Sequence, residues 1–185
     1  MIEYLKITIP TIISLFAAIF SFLTYKRNRR IENENYIFKT KQENYSKILY
    51  EIARIIDKIQ EFIIEANNFQ STKDKLDDKD FDRISDQIDA LADTIDDMTF
   101  NLDNLIISNS LVFPKSILEK LEKLTDLMID TILPGSYEKN LTIEIKKVDA
   151  ALTEIINYSN SINDSMRIDL NIEELNLFLY KRLKK

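Results

Sequence analysis

An uncharged apolar stretch near the amino terminus constrains this chain most strongly. From Ile7 to Tyr25 there are nineteen residues without a charged side chain, and four of the next five, 26–30, are cationic. At 1.5 Å per residue a helix of this length spans about 28 Å, close to the hydrocarbon thickness of a bilayer. The stretch therefore predicts a single transmembrane helix. A helix buried in a soluble core is the alternative, but such helices are rarely uncharged over this length.

The charges around this stretch predict its orientation. Residues 1–30 carry five Lys or Arg and one Glu, and most of the cations follow the apolar stretch. Because positive charge stays on the cytoplasmic side, we expect the amino terminus outside and the body inside, in an inner or cell membrane. Glu3 and the lack of a small-residue cleavage site disfavour a signal peptide. We predict an anchor with its basic stop over 1–30 and a cytoplasmic domain over 31–185.

Small and hydroxyl side chains recur along one side of the predicted anchor. Thr11, Ser14, Ala18 and Ser21 follow at spacings of three, four and three, with Ala17 beside them. Such a stripe allows two helices to approach closely in lipid, so the partner helix belongs to another copy of the chain or to another protein; we expect a homo-oligomer. Two alternatives stay open: the hydroxyls bond to their own preceding helical turn, or several copies line a narrow polar pore.

The rest of the chain reads as all-α. Glycine occurs once, proline three times, and cysteine and histidine are absent, so tight hairpins, disulfides and Cys/His metal sites are excluded. Apolar residues instead recur at alternating spacings of three and four, which is typical of core-facing helices. The clearest series consists of Tyr45, Ile48, Ile52, Ile55, Ile59, Phe62, Ala66 and Phe69. Nothing between Tyr25 and Tyr45 breaks a helix, so the anchor could continue into this series.

Three further series complete an antiparallel bundle of four to five helices. The second series is Phe81, Ile84, Ile88, Leu91, Ile95, Met98, Leu102 and Leu105. The third and fourth are Ile117, Leu118, Leu121, Leu124, Met128 and Ile132, then Leu141, Ile145, Val148, Leu152, Ile155, Ile162 and Met166. Pro134-Gly135-Ser136 predicts the turn between these two. A short last helix is expected from Ile172, with Asn171 and Glu174 at capping-box spacing.

The second helix carries a strongly acidic side. Asp82, Asp86, Asp89 and Asp93, with Asp96 and Asp97, lie on or near one side of it. This side predicts a surface for a basic partner or for divalent cations; a simply solvated face is the alternative. Residues 31–180 hold sixteen Lys or Arg against thirty Asp or Glu, which argues against general nucleic-acid binding.

Two basic clusters flank the acidic body. Lys26, Arg27, Arg29 and Arg30 form a basic collar after the anchor. These residues are expected to set the topology and to contact anionic lipid headgroups. In a homo-oligomer they would form a ring able to bind nucleotide or oligonucleotide phosphates or to select anions. The second cluster, at 181–185, would neutralise a helix carboxyl end or return to the membrane surface.

No residue pattern predicts an enzyme, a cofactor or a metal site. A chain with one glycine holds no phosphate-binding glycine loop, and without histidine the usual acid–base residue is missing. Glu119, Glu122 and Asp126 are similar to the ExxE motif of helical nucleotide pyrophosphohydrolases. The second acidic pair of those enzymes is not evident, because Lys147 and Asn157 stand where it would be completed.

The run SLFAAIFSFLTYKRNRRIENENYIFKTKQENYSKILYEI, residues 14–52, and the element Met166-Arg167-Ile168-Asp169-Leu170 carry a resemblance. They resemble small bacterial proteins that join one membrane anchor to a cytoplasmic helical domain. Some members of that group lie beside phage-defence genes and are thought to damage membranes. The resemblance implies such a role without assigning functional residues.

Two hypotheses follow from these patterns. The first is a self-assembling single-pass membrane protein whose bundle senses a signal and whose assembly perturbs the membrane or forms a channel in bacterial defence. The expected partners are further copies, lipid, and a cytoplasmic protein or nucleotide regulator. The second is a membrane-anchored adaptor that holds a cytoplasmic partner on the acidic side of the second helix.

Overall fold

The structure, a computed structural model, describes the backbone of residues 2–131, 141–174 and 176 and the side chains of 16–131, 145–174 and 176. Within these residues the chain is helical and holds no strand, which confirms the all-α prediction. The helices are α1 (Ile2–Thr72), α2 (Asp78–Ser108), α3 (Lys115–Thr131) and α4 (Leu141–Asp169), with a 3-10 turn (Lys73–Lys75) after α1.

Helix α1 is continuous over 71 residues, so the predicted anchor segment and the first bundle helix are one helix. Its only proline, Pro10, stands in the amino-terminal part, and the first glycine of the chain is at position 135. With neither residue near its middle, nothing interrupts the backbone hydrogen bonds. By the density of its contacts the chain nevertheless divides into two compact units, residues 1–40 and 41–185.

The second unit is an antiparallel bundle. Phe69 near the end of α1 contacts Phe81 near the start of α2, with 5.0 Å between ring centroids. At the other end, Tyr45 contacts Phe113, which follows α2, at 5.1 Å. Lys120 in α3 bonds to Ser165 near the end of α4, 2.8 Å away. Successive helices therefore run in opposite directions, as short connections between amphipathic helices favour.

The core consists of the apolar series that the sequence predicts, with one shift. All eight predicted positions from Tyr45 to Phe69 on α1 are buried. The predicted residues of α3 and α4 whose side chains the structure describes are also buried, except Leu118, which is half-buried. On α2 the buried column is Ile88, Ala92, Ile95, Thr99, Leu102 and Ile106. The other predicted α2 residues are only half-buried: Phe81, Ile84, Leu91, Met98 and Leu105.

Small side chains explain why Ala92 and Thr99 are buried on α2 in place of the predicted Leu91 and Met98. Ala92 and Thr99 face the interior, where helices approach closely, while the longer Leu91 and Met98 fill the edge of the core. The Thr99 hydroxyl donates to the carbonyl of Ile95 at 2.9 Å, so this buried polar group is satisfied within its own helix.

Short-range signals determine the helix ends. The Asp77 carboxylate accepts a hydrogen bond from the Asp80 amide at 2.8 Å and caps α2, and Pro114 precedes α3. At the end of α4, Asn171 has a φ of 52°, the left-handed conformation in which asparagine often terminates helices. Its side chain bonds to the Glu174 carboxylate rather than forming the two backbone bonds of a capping box. Residues 172–174 are helical; Ile132, the predicted turn at 134–136 and the basic cluster at 181–185 lie outside the described residues.

Candidate functional site

Three polar side chains meet where α4 ends beside α1. Asp169 accepts hydrogen bonds from the Tyr45 hydroxyl at 2.7 Å and from the Lys41 ammonium at 2.8 and 3.1 Å. We call these three residues the Asp169 cluster. The Lys41 and Asp169 side chains are only 22% and 19% exposed, so this ion pair is far less solvated than a surface pair. The cluster therefore joins the first and last helices of the bundle.

The electrostatics of the Asp169 cluster explain its composition. A carboxylate in the last turn of a helix is disfavoured by the helix dipole, so Asp169 needs compensating donors. Lys41 supplies the charge and Tyr45 a second donor. Burial raises the pKa of the Tyr45 hydroxyl, and the hydrogen bond to Asp169 and its negative charge raise that pKa further. The hydroxyl thus remains a donor at physiological pH.

Sequence reasoning missed this cluster as a unit. It assigned Tyr45 to the core by its period, which is correct, but gave no part to its hydroxyl or to Lys41. Asp169 belongs to the element Met166–Leu170 that carries the resemblance. An acidic residue in the last turn of a helix, where a cation is favoured, is the signal that would have identified it.

The predicted acidic partner face on α2 is exposed. Asp82, Asp86, Asp89 and Asp93 are all exposed to solvent along this helix. Asp96, beside them, is partly buried, and burial raises its pKa, with a smaller contribution from the negative charges of Asp93 and Asp97. The helix therefore concentrates negative charge beyond what its own cations neutralise, as expected of a surface for a basic partner.

A shallow open groove of about 410 Å³ lies between α1 and α2, beside this acidic face. We call it the α1/α2 groove. Its apolar residues are Ile84, Ile88 and Leu91, and Glu61 and Glu65 approach it from α1. The remaining lining residues are Gln87, Ala90 and Thr94. The groove thus combines apolar contact area with carboxylates.

The first unit carries the other predicted site residues. Ala17, Ala18 and Ser21 of the predicted oligomer or pore face are exposed, whereas Thr11 and Ser14 lie outside the residues whose side chains are described. The basic collar is exposed as well: Lys26, Arg27, Arg29 and Arg30. The Arg29 guanidinium lies 5.5 Å from the centroid of the Tyr25 ring, and Arg30 bonds to Glu34 at 2.8 Å.

Across the described part of the chain, no helix is long and apolar enough to cross a membrane. The first nine residues of the predicted span, 7–15, lie outside the residues whose side chains the structure describes.

The described residues offer no arrangement for metal chemistry. No three of their acidic side chains are grouped so that they could hold a metal ion. Glu119, Glu122 and Asp126, which are similar to an ExxE motif, are exposed on α3. The buried polar residues that the structure describes are Thr99 and Thr125, which bond to carbonyls of their own helices.

Comparison of the chain with models of known protein families, with curated proteins and with solved structures finds no match.

Proposed function

We propose that this protein is a single-pass membrane protein that assembles through its amino-terminal helix and presents the bundle to the cytoplasm as a sensing or partner-binding domain. The observation that carries the proposal is the group of large apolar side chains exposed on α1 just before the basic collar. These are Phe16, Ile19, Phe20, Phe22 and Leu23.

The degree of exposure is the first argument. Phe16, Phe20 and Phe22 are 68%, 75% and 65% exposed, and they follow one another within two helical turns. Clustered exposed apolar side chains of this size usually mark a membrane or protein contact. The nineteen-residue run that contains these phenylalanines holds no charged side chain, which favours lipid as its environment.

The two sides of the segment differ in a way that suits lipid on one side and a second helix on the other. At 100° per residue, Phe16, Phe20 and Leu23 fall on one side. Ala17, Ala18 and Ser21 fall on the other, in line with Ser14 and Thr11 of the sequence. Large side chains fill the space between lipid chains, whereas small ones permit close helix packing.

The basic collar supports the orientation. Arg29 stacks on Tyr25 at the end of the uncharged run, and aromatic and cationic residues together are typical of the membrane–water interface. Anionic headgroups would neutralise the collar on the cytoplasmic side. In an assembly, the collar would surround the axis, where it could select anions or bind phosphate groups.

Altered membrane integrity is the expected consequence of assembly. Residues 14–52 resemble small bacterial proteins with one membrane anchor, some of which lie beside phage-defence genes, and this resemblance supports a membrane-perturbing or channel-forming effector. An effector of this kind should be toxic when its assembly is unrestrained, and cells should lose membrane potential when it is overexpressed.

The proposal is tested by the mass of the full-length protein in mild detergent, measured by light scattering. We expect an oligomer, and we expect the double substitution Ser14→Leu and Ala18→Leu to reduce it to a monomer. Phe16→Leu and Phe20→Leu on the other side serve as the matched control and should leave the mass unchanged. A strictly monomeric protein before substitution would overturn the proposed assembly.

Orientation has a separate test, because the chain has no cysteine of its own. A maleimide that cannot cross membranes should label Glu3→Cys in intact cells and Asp89→Cys only after lysis. Labelling of both variants in intact cells, or of neither after lysis and membrane removal, would contradict the single crossing.

A second candidate function is an adaptor that binds a basic cytoplasmic partner. The exposure of Asp86, Asp89 and Asp93 along one side of α2 favours it. Reversing these three charges to Lys should abolish capture of such a partner, whereas reversing Asp126 and Asp130 on α3 should not. An adaptor should be neither toxic nor depolarising when expressed alone, which separates it from the first proposal.

A further inference from the structure

We infer that a cluster of polar side chains between α3 and α4 binds the phosphoryl group of a small soluble phosphate monoester. The cluster consists of Lys120, Ser161 and Ser165, and we call it the Lys120 cluster. The inference rests on the sensing role proposed for the bundle and deepens it, because it gives the chemical class of the signal. It does not depend on assembly through the amino-terminal helices.

The donor groups of the Lys120 cluster converge from two helices. The Lys120 ammonium nitrogen lies 2.8 Å from the Ser165 hydroxyl oxygen and 3.0 Å from the Ser161 hydroxyl oxygen. It also lies 3.5 Å from the carbonyl oxygen of Ser161. The two serines are four residues apart on α4, so their side chains lie on the same side of that helix. An ammonium and two hydroxyls therefore meet at one point.

The charge of the Lys120 ammonium is not neutralised by a carboxylate. Its hydrogen-bond acceptors are neutral oxygens, and it forms no ion pair among the described residues. Lys41 is also half-buried, but its ammonium pairs with the Asp169 carboxylate at 2.8 Å. A partly desolvated ammonium gains most from an ionised acceptor. The Lys120 cluster therefore keeps a positive charge that an anionic ligand can neutralise.

The two hydroxyls are able to donate to such a ligand. The Ser161 hydroxyl accepts from Lys120, and its own proton has no acceptor among the described residues. The Ser165 hydroxyl donates to the Ser161 carbonyl at 2.8 Å and can turn to a new acceptor, because hydroxyl hydrogens rotate. Ser161 is exposed, whereas Lys120 and Ser165 are half-buried. A ligand can therefore approach from the solvent on the side of Ser161.

The number of donors and the charge of the bundle select the ligand class. A phosphoryl group offers three strong acceptor oxygens, one for each donor group of the Lys120 cluster, whereas a carboxylate offers two. Residues 31–180 hold sixteen Lys or Arg against thirty Asp or Glu, so this acidic body repels a long polyanion. The cluster therefore fits a small phosphate monoester better than a carboxylate or a nucleic acid.

Calorimetric titration tests the binding directly. The full-length protein in mild detergent and phosphate-free buffer is titrated with inorganic phosphate and with glycerol 3-phosphate. We expect a dissociation constant of about 1 mM or lower for both probes, which a few charge-assisted hydrogen bonds can supply. Acetate should bind at least about tenfold more weakly, because it has fewer acceptor oxygens. Absence of binding by either phosphate probe, or equal binding of acetate, would overturn the inference.

Two lysines of the same helix provide a matched pair of variants. Lys120→Met keeps the aliphatic stem, removes the ammonium and should weaken phosphate binding about tenfold or more. Lys115→Met removes an exposed ammonium that lies 3.5 Å from the Glu119 carboxylate, and should change binding less than about twofold. Equal losses in the two variants would mean that phosphate responds only to overall charge, which would overturn the site.

The exposed serine tests the site without removing the lysine that bonds to both serines. Ser161→Ala should weaken phosphate binding about threefold to tenfold, because one donor is lost. Ser161→Thr keeps a hydroxyl and should bind within about twofold of the unsubstituted protein. If Ser161→Ala binds phosphate as well as Ser161→Thr does, the hydroxyl does not contact the ligand and the proposed site is wrong.

Two further measurements separate the source of the phosphate and the proposed assembly. Phosphatidic acid added to the detergent micelles should not displace glycerol 3-phosphate; displacement would assign the Lys120 cluster to a lipid headgroup and overturn the soluble ligand. Ser14→Leu with Ala18→Leu should lower the oligomer mass and leave phosphate binding intact. An oligomeric protein that binds neither probe would overturn this inference alone, whereas a monomeric protein that binds both would overturn only the assembly.

Discussion

Helix α1 contains two stretches rich in large apolar residues, and these stretches differ in how far their side chains are buried. Between residues 16 and 25 the phenylalanines and leucine are exposed, whereas between 45 and 69 both phenylalanines and most isoleucines are buried, with Ile64 exposed and Ile56 half-buried. The difference lies in periodicity. The second stretch confines its apolar residues to one side and places charges on the other, which suits a bundle in water. The first carries no charged side chain, and its apolar and small residues extend nearly all round the helix.

One uninterrupted helix therefore carries two different side-chain patterns along its length. Backbone hydrogen bonding is the same throughout α1. What differs is the arrangement of apolar and charged side chains around the helix.

The same substitution in the two stretches should have opposite consequences. Phe62 is 2% exposed and Phe20 is 75% exposed, both on α1. Phe62→Ala removes a core ring and should lower the free energy of unfolding of the bundle by about 3–5 kcal/mol. Phe20→Ala should change it by less than about 0.5 kcal/mol. Chemical denaturation of the full-length protein in mild detergent measures both. Similar values for the two variants would contradict the difference in burial between Phe62 and Phe20.

The Asp169 cluster lies where the buried stretch of α1 begins, and we expect it to stabilise the bundle. Asp169→Ala leaves the half-buried Lys41 ammonium and the Tyr45 hydroxyl without their acceptor. We expect a loss of about 1–3 kcal/mol in unfolding free energy. Glu119→Ala, which removes the partner of Lys115 in an exposed pair, should cost less than about 0.5 kcal/mol. If the two variants are equally stable, the Asp169 cluster does not stabilise the bundle.

Alkaline pH should lower the stability of the bundle through the Tyr45 hydroxyl. Burial and Asp169 raise the Tyr45 pKa above the value of an unfolded tyrosine, so the unfolded chain loses this proton first. The stability that results is complete below about pH 10 and is lost as the pH rises further. Melting temperatures between pH 8 and 11 should therefore fall more steeply for the unsubstituted protein than for Tyr45→Phe. Parallel profiles would refute this contribution.

The smallest effect is expected on the acidic helix. The raised pKa of Asp96 means that its ionised form is disfavoured in the folded state, so folding is favoured at low pH and less so as the pH rises. Asp96→Asn should raise the melting temperature at pH 7 by about 1–2 °C, and the gain should vanish in acid. Asp89→Asn removes the same formal charge from an exposed position and should raise it less.

Local patterns predicted the helices better than they predicted contacts between them. The spacing of Tyr45 to Phe69 identified every buried position of that series, because large apolar residues at intervals of three and four admit one interpretation. On α2 the predicted series named Leu105 where the neighbouring Ile106 is the buried residue. It also missed the interior positions of Ala92 and Thr99, since small or polar side chains do not stand out as core residues. Both depend on how closely the neighbouring helix approaches, which no local pattern contains.

The candidate sites also differ in whether a local pattern or a contact between helices defines them. The exposed acidic side of α2 follows from its spacing, and its charge needs no tertiary information. The α1/α2 groove required the positions of two helices, and the partner of Asp169 lies 128 residues away in the chain. Predicting that pair would have required the order and direction of all four helices.

The sequence separation within the Asp169 cluster also affects how the protein is made. Lys41 and Tyr45 leave the ribosome long before Asp169, because 128 residues separate Lys41 from Asp169. At about 5–20 residues per second, synthesis of that interval takes roughly 6–25 seconds. During this time the first helix has no fourth helix to pack against, and its buried isoleucines are open to other contacts. We therefore expect completion of the bundle to be a late event, governed by the arrival of α4.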